Sequence, residues 1–348
     1  MKRVTQLRTR RAIAAAVAMT AALGLTACSS ASGSDDENTI GLYGFAVPEA
    51  ANKAIETAFK KTDEGKDAKV VGSYGASGEQ SRKVVDIKGK DVDYVHFSVE
   101  PDVTRLVDAG LVADDWNAGP NKGIVSQSVA VIAVQKGNPL GIKGWQDLTR
   151  DDVKVITADP ASSGAARWNV LALYTYAKTL SPSEAKADQY LKKVFGNVST
   201  WAASGREATE AFKKGVGNVL ITYENEAILA KQQGEELDYI VPDSTFLIQN
   251  PGAVLKDADP IATDWLDFVL SDAGQTEFVK KGFRPVGDLD TSGIEVEGAN
   301  DPSDPFPTPK QLSTVDDLGG WSAINEEWFG KDGEKLRFDK LYDAATKR

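Results

Sequence analysis

The stretch KVVGSYGASGEQSRKVVDIK (residues 69–88) contains the pattern that decides the fold. Lys69–Tyr74 has the β-branched and aromatic residues of a strand, and Gly78–Lys88 has the apolar spacing of a helix. Ser77 stands at the junction between them. The same order recurs on either side in two further strand and helix pairs, Ile40–Phe45 with Pro48–Lys61 and Val92–Phe97 with Pro101–Ala109. This alternation predicts an α/β fold with parallel strands.

The alternation resumes farther along the chain. There the sequence predicts strands and helices at Ser128–Val134, Val153–Thr157, Gly164–Thr179, Ala185–Phe195, Gly205–Lys214, Val219–Tyr223, Asn225–Gln233 and Ala262–Leu270. Asp288–Lys310 is rich in Pro, Gly, Asp and Ser, which predicts an extended connection, and Asn325–Arg348 is expected to supply closing helices. A chain of 348 residues, 41% of them hydrophobic, is long enough to form two lobes.

The first 28 residues have the features of a bacterial lipoprotein signal peptide. Met1–Arg11 is basic, and Ala12–Ala27 is apolar but too short to span a bilayer comfortably. The segment ends in LTAC (residues 25–28), the pattern of a lipobox, so we expect a lipid on Cys28. The alternative is an ordinary secretory signal in which this cysteine is incidental. Residues 29–38 are small, polar and acidic, which predicts a flexible tether.

The charge of the chain excludes one class of partner and constrains another. The formal net charge is −11 at pH 7, and removal of the five basic residues that precede Cys28 would make the chain more negative still. Such a protein is a poor binder of nucleic acid. It would also repel an anion at long range. Any anion site must therefore work through short-range hydrogen-bond donors.

Three Ser-Gly pairs stand where a predicted strand leads into a predicted helix: Ser77 with Gly78, Ser163 with Gly164, and Ser204 with Gly205. Serine favours helix N-caps, and glycine lets a ligand approach the backbone closely. The first turn of a helix leaves N–H groups unpaired and carries about half a positive charge. Three such turns aimed at one cleft would form an anion site without basic side chains.

The alternative is that these serines are only helix caps. Ser77 and Ser204 are followed three residues later by Gln80 and Glu207, so each also fits a capping box in which the serine is satisfied locally. Ser163 has no such partner, because residue 166 is alanine. Ser163 is therefore the serine most in need of an outside acceptor.

Two further side chains are candidates for the same site. Arg206 falls in the first turn of its predicted helix, where it opposes the helix dipole, and a bound anion would relieve that conflict. The alternative is a solvated arginine paired with Glu207 or Glu210. Tyr223 ends a predicted strand, and its hydroxyl could donate to a ligand. The alternative for Tyr223 is a core aromatic residue.

Catalytic and metal-binding motifs do not stand out in the sequence. His96 is the only histidine, and Cys28 is the only cysteine, so no disulfide and no His/Cys metal set can form within the chain. The sequence contains no G-x-S-x-G elbow and no phosphate-binding loop of the GxxxxGK[ST] type. A serine hydrolase using Ser77 or Ser163 with His96 remains the enzymatic alternative to a binding protein.

The stretch VITADPASSGAARWN (residues 155–169) resembles the ITPNPKSSGGARWN signature of the sulfate/thiosulfate-binding proteins of bacterial ABC importers. The similarity runs from about Ile40 to the C-terminus. It is also clear in five shorter segments, Ser73–Gly78, Lys136–Pro139, Val219–Ala227, Phe283–Pro285 and Gly319–Trp321.

The resemblance implies a two-lobed periplasmic-binding-protein fold of type II. Two parallel-type sheets flanked by helices would be joined by two crossing strands near Ser128–Val134 and Phe246–Leu255. Lobe 1 would comprise residues 39–130 and 246–348, and lobe 2 would comprise residues 131–245. The lobes would close around the ligand by a hinge motion.

The resemblance also implies how sulfate would be bound. Ser77 and Ser163 would donate their hydroxyls, and Gly164 and Ala165 would donate backbone N–H groups. The remaining residues expected at the site are Gly78, Ser204, Gly205, Arg206 and Tyr223. The family commonly has Trp where this chain has Tyr223, and Gly where it has Ala165. These departures leave thiosulfate, molybdate and phosphate open as alternative ligands.

The same resemblance implies the protein's partners and location. It predicts a monomeric, non-enzymatic protein without cofactor or metal, which hands its anion to the permease subunits of an ABC importer. A lipid on Cys28 would hold it to the outer side of the cell membrane. A phosphate receptor would need a carboxylate facing the ligand, and Glu224 and Glu226 beside Tyr223 are the candidates for it.

Overall fold

The computed structural model describes residues 38–330 and 336–346. Its strands are β1 (Thr39–Phe45), β2 (Lys69–Gly75), β3 (Tyr94–His96), β4 (Ile124–Gln135), β5 (Val155–Ala158), β6 (Val198–Ala202), β7 (Val219–Tyr223), β8 (Leu237–Ile240), β9 (Ser244–Val254) and β10 (Gln311–Ser313). Its α-helices are α1 (Glu49–Phe59), α2 (Ser77–Asp86), α3 (Glu100–Asp108), α4 (Gly164–Leu180), α5 (Glu184–Gly196), α6 (Gly205–Lys213), α7 (Glu224–Gln232), α8 (Ile261–Leu270), α9 (Asp272–Lys280), α10 (Gly320–Ile324) and α11 (Arg337–Thr346).

The predicted alternation of strands and helices is confirmed. The segments predicted from residue 40 to residue 109 correspond to β1, α1, β2, α2, β3 and α3, with boundaries that agree within about two residues. No strand or helix interrupts residues 288–310, as expected for an extended connection. The prediction missed β6, β8, β10, α9 and α10. Three of these five are strands of at most five residues.

The strands form two groups with parallel pairing inside each group. In the first, β1 lies between β2 and β3 and is parallel to both. In the second, β5 lies between β6 and β7 and is parallel to both. Eight strands follow the order β2-β1-β3-β9-β4-β7-β5-β6, so β9 and β4 stand between the groups, and the short strands β10 and β8 pair with β9 and β4.

The two longest strands connect the groups. β4 and β9 pair antiparallel with each other, with Ser128 opposite Ile248. The far end of β9 pairs with β3 of the first group, and the far end of β4 pairs with β7 of the second. These are the two crossing strands that the sequence predicted, and the type II α/β architecture is confirmed.

The C-terminal residues pack against helices of the second group. Trp321 of α10 lies 4.9 Å from Trp168 of α4, measured between ring centroids. Arg337 of α11 donates to the Asp188 carboxylate of α5 at 2.7 Å and lies 4.3 Å from the ring centroid of Trp328. The sequence assigned these residues to lobe 1. The side-chain contacts named here are with α4 and α5, which fall within the predicted lobe 2.

The topology brings the strand-to-helix turns together. Strands β1, β2 and β3 lead into α1, α2 and α3, while β5, β6 and β7 lead into α4, α6 and α7. Since parallel strands end at the same edge of a sheet, each group presents its helix N-termini along one edge, and a cleft beside these edges is the usual ligand site of such folds. None of the helices described has the length and apolarity needed to cross a bilayer.

Candidate functional site

The N-termini of α2, α4 and α6 meet in the structure. A Cβ atom placed on Gly78 of α2 would lie 3.1 Å from the carbonyl oxygen of Ser162, just before α4. A Cβ atom on Gly205 of α6 would lie 3.2 Å from the Cβ of Ala165 in α4. The convergence of the three Ser-Gly turns, predicted from the sequence, is therefore present in the fold.

Ser77 is buried at the start of α2 and makes two long-range hydrogen bonds. Its hydroxyl donates to Oδ2 of Asp102 at 2.6 Å, and its Oγ accepts from the backbone N–H of Ser98 at 2.9 Å. The capping box that was the alternative for Ser77 is absent, because the N-cap is Ala76 and the Gln80 side chain accepts from Ser73. Ser77 thus ties α2 to the turn between β3 and α3.

The other two serines are N-caps, but only one of them makes a capping hydrogen bond with its side chain. The Oγ of Ser204 accepts from the backbone N–H of Glu207 at 3.2 Å, so its cap is satisfied within α6. Ser163 is the N-cap of α4, yet its side chain makes no capping hydrogen bond. It is also buried. As expected from the sequence, the Ser163 side chain therefore has no capping partner in the first turn of α4.

Gly164 is in close contact with the turn between β3 and α3. A Cβ atom at Gly164 would come within 2.7 Å of the Ser98 Cβ and 2.9 Å of the Ser98 Oγ. No real side chain tolerates such distances, so only glycine fits between α4 and Ser98. Ala165 follows in the first turn of α4 and is buried. Backbone N–H groups in a first turn have no acceptor within their own helix.

Tyr223 ends β7 and is only 1% exposed. Its hydroxyl lies 2.8 Å from the Oγ of Ser98, and its ring lies 6.4 Å from that of Phe45. Burial raises the pKa of Tyr223 well above its usual value, so the phenol keeps its proton at physiological pH. Tyr223 therefore has a polar role at the site as well as packing in the core.

Arg206 is held by protein groups. Its guanidinium donates to both carboxylate oxygens of Glu226, at 3.0 and 2.7 Å, and to the carbonyl oxygen of Val47 at 3.1 Å. The sequence offered Glu207 and Glu210 as alternative partners, but the carboxylate lies on α7. Glu226 supplies the negative charge that offsets the conflict between this arginine and the helix dipole.

The acidic side chains proposed as phosphate acceptors are also paired. Glu224 accepts from Arg284 at 2.7 and 3.1 Å, and Glu226 accepts from Arg206. Burial raises the pKa of Glu224, while Arg284 opposes that rise. Both carboxylates are consequently committed to guanidinium groups.

His96 is fully buried and makes no contact with the candidate nucleophiles. Its Nδ1 lies 3.3 Å from Oδ1 of Asn52, and its Nε2 lies 3.0 Å from the Oγ of Ser126. Burial lowers the pKa of His96 to about 3, so the imidazole is neutral. Neither Ser77 nor Ser163 is among its hydrogen-bond partners, which removes the geometry that a hydrolase would need.

Sequence analysis missed two residues that lie at this site, Ser98 and Val47. Ser98 contacts Ser77, Gly164 and Tyr223, and Val47 contacts Gly205 and Arg206. Neither belongs to a Ser-Gly pair, so the pattern used on the sequence could not reveal them. Among residues 38–330 and 336–346, no cluster of three or more His, Cys, Asp or Glu side chains could hold a metal ion.

Comparisons with known proteins give matches over most of the chain. Residues 40–284 match the family model of bacterial extracellular solute-binding proteins. The chain is 36% identical to a sulfate-binding protein of Synechococcus elongatus, covering 98% of this chain and 99% of the relative. It is 30% identical to a thiosulfate-binding protein of Pseudomonas aeruginosa, covering 83% of this chain and 88% of the relative.

A solved structure is similar over most of the chain. The sulfate-binding protein SubI of Mycobacterium tuberculosis superposes with a TM-score of 0.78 at 39% sequence identity. The match covers 84% of this chain and all of the SubI chain. The chain therefore belongs to the family of bacterial extracellular solute-binding proteins, among the sulfate-binding and thiosulfate-binding members.

Proposed function

We propose that this protein captures sulfate between two lobes outside the cytoplasm and delivers it to an ABC importer. The observation that carries the proposal is the meeting of three helix N-termini, those of α2, α4 and α6, beside the hydroxyl of Tyr223. Backbone N–H groups at such ends attract anions without needing a basic side chain. The site therefore suits an acidic protein whose long-range field repels its ligand.

The proposed ligand contacts are the residues named from the sequence. Backbone N–H groups of Gly78, Gly164, Ala165, Gly205 and Arg206 would donate to the anion. The hydroxyls of Ser163 and Tyr223 would also donate, since neither makes a capping hydrogen bond and the one contact of Tyr223, with the Ser98 hydroxyl, can leave its proton to a ligand. Ser77 and Ser204 would act mainly by fixing their turns, because their hydroxyls already have protein partners.

The chemistry of the site favours sulfate over hydrogen phosphate. Sulfate carries no proton at neutral pH, whereas hydrogen phosphate carries one that must find an acceptor. A buried polar group without a partner costs about 1–3 kcal/mol. Glu224 and Glu226 are bound to arginines, so neither is free to accept that proton. The proposed pocket thus offers hydrogen-bond donors without a free acceptor, and it would favour an unprotonated anion over a protonated one.

The proposed lobes are hinged on β4 and β9. Lobe 1 would contain β1–β3 and the turns with Ser77 and Ser98, and lobe 2 would contain β5–β7 and the turns with Ser163 and Ser204. We include residues 311–346 in lobe 2 because of their packing against α4 and α5. In that division the bond from Arg206 to the Val47 carbonyl joins the lobes. Ligand would stabilise the closed form through its higher affinity for that state.

We further propose that Cys28 carries a lipid that holds the protein to the outer face of the membrane. Cys28 lies outside the described residues, and the proposal rests on its lipobox sequence and the acidic tether that follows. The protein would act as a monomer and would bind the permease subunits of the importer. Solute-binding proteins of this family are transport components and not enzymes.

An anion panel tests the proposal. Sulfate, thiosulfate, molybdate and phosphate would be compared by calorimetry and by the shift of the thermal unfolding midpoint. A ligand that binds only the native state at about 100 times its Kd adds about 2.7 kcal/mol to the free energy of unfolding. Sulfate should give the largest shift and phosphate the smallest. Phosphate binding as tightly as sulfate, or binding of none of the four anions, would refute the proposal.

A further inference from the structure

Ser98 is the residue through which the parts of the proposed site are connected. It is 0% exposed and uses its backbone and its side chain in four hydrogen bonds. Its N–H donates to Ser77 at 2.9 Å, and its carbonyl accepts from Trp168 Nε1 and from Asn250 Nδ2, both at 2.9 Å. Its Oγ lies 2.8 Å from the hydroxyl of Tyr223. Ser98 thus joins α2, α4, β7 and the crossing strand β9.

The hydroxyl of Tyr223 poses a problem for selectivity. A phenol has one proton to donate and lone pairs that can accept. Left alone, it could accept the proton of hydrogen phosphate as readily as it could donate to sulfate. Discrimination by protonation requires that the acceptor positions of Tyr223 be occupied by other protein groups.

Ser98 is placed to occupy the phenol oxygen. Its Oγ lies 2.8 Å from that oxygen, a contact in which either hydroxyl could donate. Asn250 fixes Ser98 at this position by donating an amide proton to its carbonyl oxygen. With Ser98 as the donor, a lone pair of the phenol is used within the protein, and the phenol proton is the group left to face a ligand.

A bound dianion would favour one direction for the hydrogen bonds that link Ser98, Tyr223 and the ligand. The chain from Ser98 hydroxyl to Tyr223 hydroxyl to anion places the more acidic hydroxyl, the phenol, against the charge. Hydrogen bonds in such a chain polarise and strengthen one another. The opposite direction would leave a phenol lone pair facing the dianion, which is repulsive.

We propose that Ser98 is a specificity-determining residue that makes Tyr223 an obligate donor and so selects unprotonated tetrahedral oxyanions over protonated ones. The inference rests on the proposed function and deepens it. Ser98 is a positioning residue in this account, because it acts on the ligand through Tyr223. Its removal should change the ratio of affinities for two anions and not only the strength of binding.

The test compares Ser98→Ala with the unmodified protein by calorimetry in mildly alkaline buffer, where phosphate carries a single proton. Loss of a net hydrogen bond should weaken sulfate binding about two- to tenfold. Phosphate binding should hold constant or tighten, since Tyr223 regains an acceptor. The preference for sulfate over phosphate should therefore fall about tenfold. An unchanged preference would overturn the inference.

Repeating the Ser98→Ala substitution in a Tyr223→Phe protein tests whether Ser98 acts on the ligand through Tyr223 or by contacting the ligand directly. In Tyr223→Phe protein, adding Ser98→Ala should leave sulfate affinity unchanged, whereas a further loss as large as in the unmodified background would overturn the inference. Thr175→Val is the matched control, since it removes a buried hydroxyl that bonds only within α4. It should leave the anion preference unchanged.

Ser98→Cys provides a substitute if the alanine variant does not fold, because it keeps the side-chain shape with a much weaker donor. Its preference for sulfate should be reduced in the same direction, and an unaltered preference would count against Ser98. Unmodified protein that binds none of the anions would refute the proposed function itself. Sulfate binding with a preference insensitive to residue 98 would refute this inference alone.

Discussion

Replacing Gly164 by alanine should weaken sulfate binding while leaving the unliganded protein folded. Gly164 lies in the first turn of α4, in the proposed lobe 2, and faces Ser98 of lobe 1. A new Cβ would lie 2.7 Å from the Ser98 Cβ, 2.9 Å from its Oγ and 3.2 Å from Cγ2 of Val99. The added methyl group therefore obstructs the approach of the two lobes.

The size of the effect follows from how firmly Ser98 is held. A flexible side chain could move aside, but the nearest atom is the Cβ of a buried residue with four hydrogen bonds. Overpacking at a rigid contact costs about 1–3 kcal/mol. If that cost applies only to the closed form, affinity should fall about 5- to 150-fold. The open form, in which the lobes separate, should escape the penalty.

Calorimetry with sulfate and urea unfolding without it would measure the two effects separately. Gly119→Ala is the control, since nothing lies within 4 Å of a Cβ at that glycine. Gly164→Ala should show weakened sulfate binding and an unchanged unfolding midpoint. Undiminished affinity would refute the close contact as a feature of the liganded state. Lower stability without ligand would show that the unliganded protein is already closed.

Three further perturbations follow from the site. Ser163→Ala should weaken sulfate binding with little effect on urea unfolding, because the Ser163 side chain caps no N–H group. Ser204→Ala should lower the free energy of unfolding by about 1 kcal/mol, because it removes a helix cap. Equal destabilisation by the two substitutions would contradict this assignment. Burial lowers the pKa of His96 from 6.5 to about 3, so the folded state binds fewer protons than the unfolded state and stability is lost as the pH falls below 6.5. In urea unfolding, the free energy of unfolding should fall by about 2 kcal/mol between about pH 7 and 5. This fall should be absent in the His96→Asn variant. Arg206→Met should destabilise the protein by about 3–5 kcal/mol, because it leaves the buried carboxylate of Glu226 without its ion-pair partner. Adding Glu226→Gln should restore most of the lost stability. A double variant that is no more stable to urea than the single variant would contradict the pairing.

The fold was predictable because its signal is local. Each strand and helix from β1 to α3 has its own periodicity, and the Ser-Gly pairs mark where one leads into the other. The pairs could also be expected to converge, since parallel strands place the turns after them at one edge of a sheet. Short strands such as β6 and β8 were missed because polar residues interrupt them, Ser199 and Thr200 in β6 and Asp238 in β8, whereas the equally short β5 and β7 are largely apolar runs.

The partners of the site residues were not predictable in the same way. Glu207 and Glu210 were the partners considered as the alternative for Arg206, because both lie close to it in sequence. Its partner Glu226 is 20 residues away, on another helix. Ser98 is 125 residues from Tyr223, and no pattern in either segment marks the contact. Such pairs arise from tertiary packing, which a single sequence does not display.

The ion pairs around the site explain how an acidic protein can bind a dianion selectively. Arg206 is bound to Glu226, Arg284 to Glu224, and Arg105 to Asp102, so these guanidinium charges are neutralised by neighbouring carboxylates. What remains for a ligand is the positive end of three helices, each worth about half an elementary charge. Together they offer about +1.5, close to the charge needed to balance sulfate. Because this charge resides in fixed N–H groups, it would stabilise best an anion whose oxygens all accept hydrogen bonds, and in the proposed site the same donors would disfavour a protonated oxyanion.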